Sequence, residues 1–208
     1  MIRGSKDYKH YFSNIERTVA YLNLPKCGCS SIKTYLASFP DGSSEDIYSK
    51  SYREMFYLPA NQVQNSSAFT FTFVRNPKSR FVSFYKDKIL RWDKNISETM
   101  NKNGFSEAMS IDQTIDVLFS NQPEVLEPHI RPMSLIIYDQ EGYQYAEYIG
   151  KLETFSRDIA AIEKRTKIPF KIKDKNVSRN AVGYVQLSDQ QEKRIREFFD
   201  QDYTAFGY

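Results

Sequence analysis

Apolar positions along this chain follow two habits. Short runs dense in aromatic and β-branched residues read as strands, and stretches with apolar residues three and four apart read as helices. Strands are predicted over 18–25, 69–75, 134–138 and 145–150, with a further one at 169–173. Helices are predicted near 29–39, 77–93, 111–120, 153–165 and 188–200. Strand and helix take turns, as in a parallel sheet flanked by helices, so the expected fold class is α/β. At 208 residues with 40% hydrophobic content, the chain can bury one substantial core, which predicts a single domain over 1–208. The stretches 41–67 and 93–110 are polar and mixed, and read as insertions over the active face. There is no internal repeat and no low-complexity tract.

In such a fold, ligand belongs at the carboxyl ends of the strands. Residues 22–31 read Leu-Asn-Leu-Pro-Lys-Cys-Gly-Cys-Ser-Ser, a strand end running into a helix start. A turn there aims backbone N–H groups, Lys26 and two hydroxyls at one anion, with the positive end of the helix dipole behind them. A nucleotide-triphosphate P-loop needs its lysine after the second glycine, whereas Lys26 precedes Gly28. A second strand, Ala68–Val74, leads into Arg75-Asn-Pro-Lys-Ser-Arg-Phe-Val-Ser-Phe-Tyr85. Pro77 suits a first helical turn, Arg75 falls at the strand end, and Ser83 lies about two turns into the helix. An arginine fork there can hold two phosphate oxygens.

Pro25-Lys-x-Gly-x-Ser-Ser31 resembles the 5′-phosphosulfate loop of sulfotransferases that use 3′-phosphoadenosine 5′-phosphosulfate (PAPS). The second segment resembles the 3′-phosphate motif of the same family, an aromatic strand, Val-Arg-Asp-Pro, then Arg-x-x-Ser-x-Tyr, with Asn76 in place of the usual aspartate. Glu127-Pro-His-Ile-Arg-Pro-Met133 is similar to the His-aromatic-Arg-Pro-Gln segment of the carbohydrate branch, with Ile130 and Met133 as departures. Tyr148–Asp158 resembles its Gly-Lys-x-Glu-x-x-x-x-Asp junction, and Ile195–Tyr208 its Asp-x-x-x-Phe-Gly-Tyr ending. The chain thus resembles a carbohydrate sulfotransferase, closest to the Golgi chondroitin and HNK-1 group, as a soluble member of bacterial type.

This resemblance implies a P-loop-NTPase-like parallel sheet, PAPS as donor and the desulfated nucleotide (PAP) as product, and no metal. It implies in-line transfer of a sulfuryl group to a hydroxyl of a glycan or related acceptor. Lys26 is then the cation for the leaving oxygen, and Cys27, Gly28, Cys29, Ser30 and Ser31 surround the 5′-phosphate. Arg75 and Ser83 take the 3′-phosphate, joined by Arg179 from Asn176-Val-Ser178-Arg179, which resembles the segment that folds over the nucleotide. The family's base is a histidine or a glutamate. His129 is the first candidate, since its unperturbed chemistry suits proton transfer near neutrality, and Glu54 is the runner-up. His10, in a polar segment, reads as a surface residue. Arg131 either meets an acidic sugar or braces its loop. By analogy with phosphoryl transfer, catalysis is positioning plus electrostatic stabilisation.

Charge and cysteine usage sharpen this reading. A net charge of +3 is too small to argue for nucleic acid. Lys78, Arg80, Lys86, Lys88 and Arg91 nevertheless crowd one predicted helix, either as a solvated face or as a field for an anionic nucleotide and glycan. The expected partners are a nucleotide donor and a carbohydrate hydroxyl acceptor. Cys27 and Cys29, the only cysteines, cannot staple distant segments, and they lack the second pair a zinc site needs. With no apolar run of membrane-span length and no signal-peptide core, a cytoplasmic protein is expected, or a Golgi-lumenal one if the chain is a trimmed ectodomain. A kinase with a divergent P-loop and an inactive PAP- or glycan-binding relative are the competing classes. Lysine position counts against the first, and the presence of Lys26, Arg75 and Ser83 against the second.

Overall fold

Five strands form the sheet: β1 (His10–Ser13), β2 (Val19–Leu22), β3 (Tyr57–Pro59), β4 (Phe69–Val74) and β5 (Tyr148–Lys151). Their order is β3-β1-β2-β4-β5. The computed structural model describes residues 10–37, 46–92, 98–169 and 184–208. Its chain divides into two compact units, one of residues 8–74 and 137–177 and the other of residues 1–7, 75–136 and 178–208.

The first unit holds the whole sheet. β2 runs parallel to β4 and β4 parallel to β5, as expected, with Tyr21 opposite Phe71 and Thr72 opposite Ile149. β1 is antiparallel to both β2 and β3, so the sheet is mixed rather than wholly parallel. Along β2 and β4, alternate residues Val19, Tyr21, Phe71 and Phe73 pack with Ile32 and Leu36 of α1 (Cys29–Leu36) and Ile159 and Ile162 of α8 (Phe155–Thr166). Phe12 of β1 stacks on Tyr52 of α2 (Lys50–Phe56) at 5.4 Å. The stretch read as an insertion over 41–67 therefore supplies α2, the edge strand β3 and α3 (Ala60–Gln64).

The second unit is helical. Phe81 and Phe84 of α4 (Pro77–Phe84) pack with Ile115 and Leu118 of α6 (Ile111–Phe119), Ile195 of α9 (Asp189–Phe198), and Tyr203 of α10 (Asp200–Phe206). Serine caps reciprocated by glutamine start α6 at Ser110 and α9 at Ser188. The single helix expected over 77–93 changes at Tyr85 into one π-helical turn, Tyr85–Ile89. α5 (Glu98–Asn103) lies within the stretch read as a second insertion.

Two more strands are predicted from the sequence. The one expected over 134–138 is a short helix, α7 (Ser134–Ile137). Asp202 explains the change, because its carboxylate accepts the Met133 and Ser134 N–H groups, each at 2.8 Å, and so caps a helical turn. Of the strand expected at 169–173, residues 170–173 lie outside the described residues. No helix among the described residues is long and apolar enough to cross a membrane.

Candidate functional site

Buried along its whole length, β2 delivers the chain into the turn at Pro25–Gly28. The hydroxyl of fully buried Tyr21 accepts the Leu24 N–H at 3.3 Å and ties the turn's entry to the strand. Burial pushes that hydroxyl's pKa well above its ordinary value, so it acts as a neutral hydrogen-bonding group. Two left-handed residues follow, Lys26 at φ 68° and Gly28 at φ 81°. Glycine takes this region freely, and a Cβ at 28 would stand 3.0 Å from Leu152 Cδ1. Lysine enters it only at a steric cost of roughly 1–2 kcal/mol, and backbone outliers of this kind gather at functional sites.

Gly28 starts α1 with no side-chain cap and with no acidic residue in the first turn. Ser31 and Ile32 return their N–H groups to the Gly28 carbonyl at 3.1 and 3.3 Å. Cys29 and Ser30 are therefore the first helical residues, at positions whose N–H groups have no acceptor within the helix. The helix dipole makes that end positive, a geometry suited to phosphate or sulfate. Lys26 lies two residues ahead of the cap and is partly buried. One strand-to-helix turn thus gathers Lys26, Cys27, Gly28, Cys29, Ser30 and Ser31. Neither cysteine forms a disulfide, and Cys27 is buried while Cys29 is partly so.

In the helical unit, Arg75 comes directly after β4 in the chain and is partly buried, as is Ser83 on α4. Asn76 Oδ1 accepts the Ser79 N–H at 3.1 Å, so the asparagine still caps the helix, and Pro77 opens its first turn. Arg80 corrects the picture of a basic helix face. Only 1% exposed, it donates to the Arg131 carbonyl at 2.8 Å and the Pro128 carbonyl at 3.1 Å. Its guanidinium holds these backbone carbonyls, and its charge also acts on the buried Asp202 carboxylate. Lys78 pairs with Glu192 at 3.1 Å and Lys88 with Asp87 at 3.6 Å.

Those two carbonyls flank His129. Its Nδ1 lies 2.7 Å from Glu127 Oε1, and its backbone N–H donates to Glu127 Oε2 at 2.7 Å. The Glu127 side chain is 6% exposed and that of His129 is 32% exposed, so the carboxylate is sealed while the ring reaches the surface. Burial pushes the Glu127 carboxyl up, but the hydrogen bonds and charge of His129, with the charge of Lys88, outweigh it and hold the pKa below the ordinary value. Asn103 Oδ1 accepts the Glu127 N–H at 2.8 Å, and Arg131 braces the loop by donating from Nε to the Leu126 carbonyl at 3.0 Å. Neither Glu127 nor Arg80 stands out in sequence as a site residue. The only signal for Glu127 is a carboxylate two positions before the histidine.

The remaining candidates fall elsewhere. Glu54 lies exposed on α2, 3.4 Å from the Lys50 ammonium one turn back. His10 is half-buried in β1 rather than a surface residue, and its Nδ1 is 3.1 Å from the Tyr57 hydroxyl, with burial lowering its pKa. Arg179 and the segment around it lie outside the described residues. Among the described residues there is no group of three or more His, Cys, Asp and Glu side chains placed to hold a metal ion.

Two motif segments prove to be architectural. Asp158 closes the strand-to-helix junction by accepting from Thr154 Oγ1 at 2.6 Å, the Lys151 N–H at 2.8 Å, Arg157 Nε at 3.1 Å and the Tyr148 hydroxyl at 3.2 Å. Burial pushes its carboxyl up, yet these partners more than offset that and leave the pKa below its ordinary value. The C-terminal ending supplies Asp202, the cap of α7, and Gly207 at φ 63° stops α10.

A sequence model of the sulfotransferase family matches residues 9–208. No curated protein and no solved structure matches the chain.

Proposed function

The chain belongs to the sulfotransferase family, and from that premise we propose that it transfers a sulfuryl group from PAPS to a hydroxyl of a glycan or related acceptor. The carrying observation is the turn at 25–31, where a lysine in left-handed backbone precedes an uncapped helix start. Such a turn suits a phosphosulfate. The donor supplies a sulfuryl group on a phosphate leaving group. The Lys26 ammonium meets the negative charge that builds on the oxygen between sulfur and phosphorus, while N–H groups and hydroxyls of 27–31 hold the 5′-phosphate. Arg75 and Ser83 are the proposed partners of the 3′-phosphate, with Arg179 as a third. His129 takes the acceptor's proton as the new O–S bond forms and the old one breaks. One sulfotransferase domain over 1–208 is the proposed organisation, since the family match runs through both units.

Calorimetric or dye-based melting with PAP and with magnesium-ATP tests the donor. At about 100 times its dissociation constant, PAP should stabilise the protein by about 2.7 kcal/mol. For a chain of this size that is on the order of 5–10 °C, with far less from magnesium-ATP. Turnover with radiolabelled PAPS and a panel of desulfated polysaccharides then separates roles. Lys26→Ala should lower turnover more than PAP affinity, whereas Arg75→Ala and Ser83→Ala should weaken PAP. His129→Ala should lose roughly 10²–10⁴-fold in turnover, with Glu54→Gln nearly unchanged as the control. Equal stabilisation by PAP and magnesium-ATP would overturn the donor reading.

A further inference from the structure

The catalytic role proposed for His129 needs an imidazole with an unprotonated nitrogen facing the acceptor, held in one orientation. A histidine alone in a loop provides neither. We infer that Glu127 is the positioning residue of the base: it holds Nδ1–H of His129 in a hydrogen bond, so that Nε2 is the nitrogen that receives the proton. This inference rests on the reading of His129 as the base.

Three observations carry it. The Nδ1···Oε1 distance of 2.7 Å is that of a charge-assisted hydrogen bond, and a carboxylate that accepts at Nδ1 fixes the tautomer with its proton there. The second carboxylate oxygen takes the His129 backbone N–H, so one side chain fixes both the ring and the residue that bears it. Buried Arg80 then holds the carbonyls of Pro128 and Arg131, one before and one just beyond His129, with a single guanidinium. The Glu127 carbonyl accepts the N–H groups of Ile130 and Arg131 at 2.9 Å each and closes the turn from inside. Lys88, from the π-helical turn, is the further charge that acts on Glu127. A surface ion pair would have neither a sealed carboxylate nor a backbone pinned on both sides. This one has both, as a group that must hold its geometry through turnover requires.

In the chemical step, the acceptor O–H proton moves to Nε2 and the imidazolium so formed keeps Nδ1–H on the Glu127 carboxylate. The proton leaves Nε2 to solvent after PAP departs, and Glu127 stays ionised throughout.

Nitrogen-15 NMR of histidine-labelled protein reads the tautomer directly. His10 and His129 are the only histidines, so a His10→Asn variant assigns the signals. In the neutral ring of wild-type His129, Nδ1 should show the protonated shift and Nε2 the unprotonated one, the reverse of free histidine in water. Glu127→Ala should lose that preference and about 10²-fold in turnover, with the KM for PAPS unchanged. Glu127→Gln, which can still accept from Nδ1–H, should recover part of both, and a preserved PAP melting shift shows that each variant is folded. Nε2–H as the main wild-type tautomer overturns the inference. Full turnover by Glu127→Ala beside an inactive His129→Ala overturns it too, while the base reading stands. Full turnover by both variants overturns both.

Discussion

Asp202 is fully buried, and its two oxygens take the N–H groups of Met133 and Ser134, residues nearly seventy positions away in sequence. Replacing Asp202 with alanine leaves two buried backbone donors with nothing to bond. Each unsatisfied donor costs about 1–3 kcal/mol, so Asp202→Ala should lose about 2–6 kcal/mol of stability. In a chain of this size, each kcal/mol moves the melting temperature by about 2–4 °C, which gives a fall on the order of 5–20 °C. Asp202→Asn keeps one acceptor oxygen but turns an NH₂ group toward the other donor, so it should fall between wild type and alanine. Urea unfolding followed by tryptophan fluorescence measures the free energies, since Trp92, the only tryptophan, packs against the same helical core. Both variants within about 0.5 kcal/mol of wild type, the usual range for surface substitutions, would refute the reasoning.

Gly150→Ala should destabilise by about 1–3 kcal/mol in the same assay, because the new Cβ would lie 2.6 Å from Phe73 Cε1 and 3.1 Å from Asp158 Cβ in packed surroundings. Asp158 and Glu127 both have carboxyls held below their ordinary values, so their stabilisation is complete above the unfolded pKa values of 3.8 and 4.5 and is lost as pH falls through the lower folded ones. Asp202, whose burial raises its pKa, works in the opposite sense, so the comparison to make is wild type against Asp158→Asn. The variant should show a shallower loss of stability below about pH 4, and an unchanged slope would count against the junction's role.

Local signals in the sequence reach the parallel heart of the sheet and the turn after β2, where strand composition, glycine and helical spacing agree. They fail where tertiary contacts decide. Ser134–Ile137 has a strand's composition, yet Asp202 claims the N–H groups at its start and makes it helical. β1 and β3 carry no long aromatic and β-branched run of the kind that marks β4, and their strand form shows in the antiparallel pairing of β1 with β2 and with β3. Arg80 reads as one of a row of helix cations, and only packing shows it buried under the His129 loop. The histidine was legible as a candidate base. The carboxylate that fixes its ring was not, because nothing in the spacing Glu-x-His distinguishes a bonded pair from two loop residues that happen to lie close.

Lys26 sits in a backbone region that glycine occupies without strain. On the role proposed for Lys26, stability and chemistry therefore pull in opposite directions at one position of the chain. A laboratory selection for heat resistance that ignored activity would favour glycine or asparagine there, and each round would enrich hardier proteins with no cation at the mouth of α1. On the same proposed role, any effort to harden this protein for use needs an activity screen that holds residue 26 as lysine.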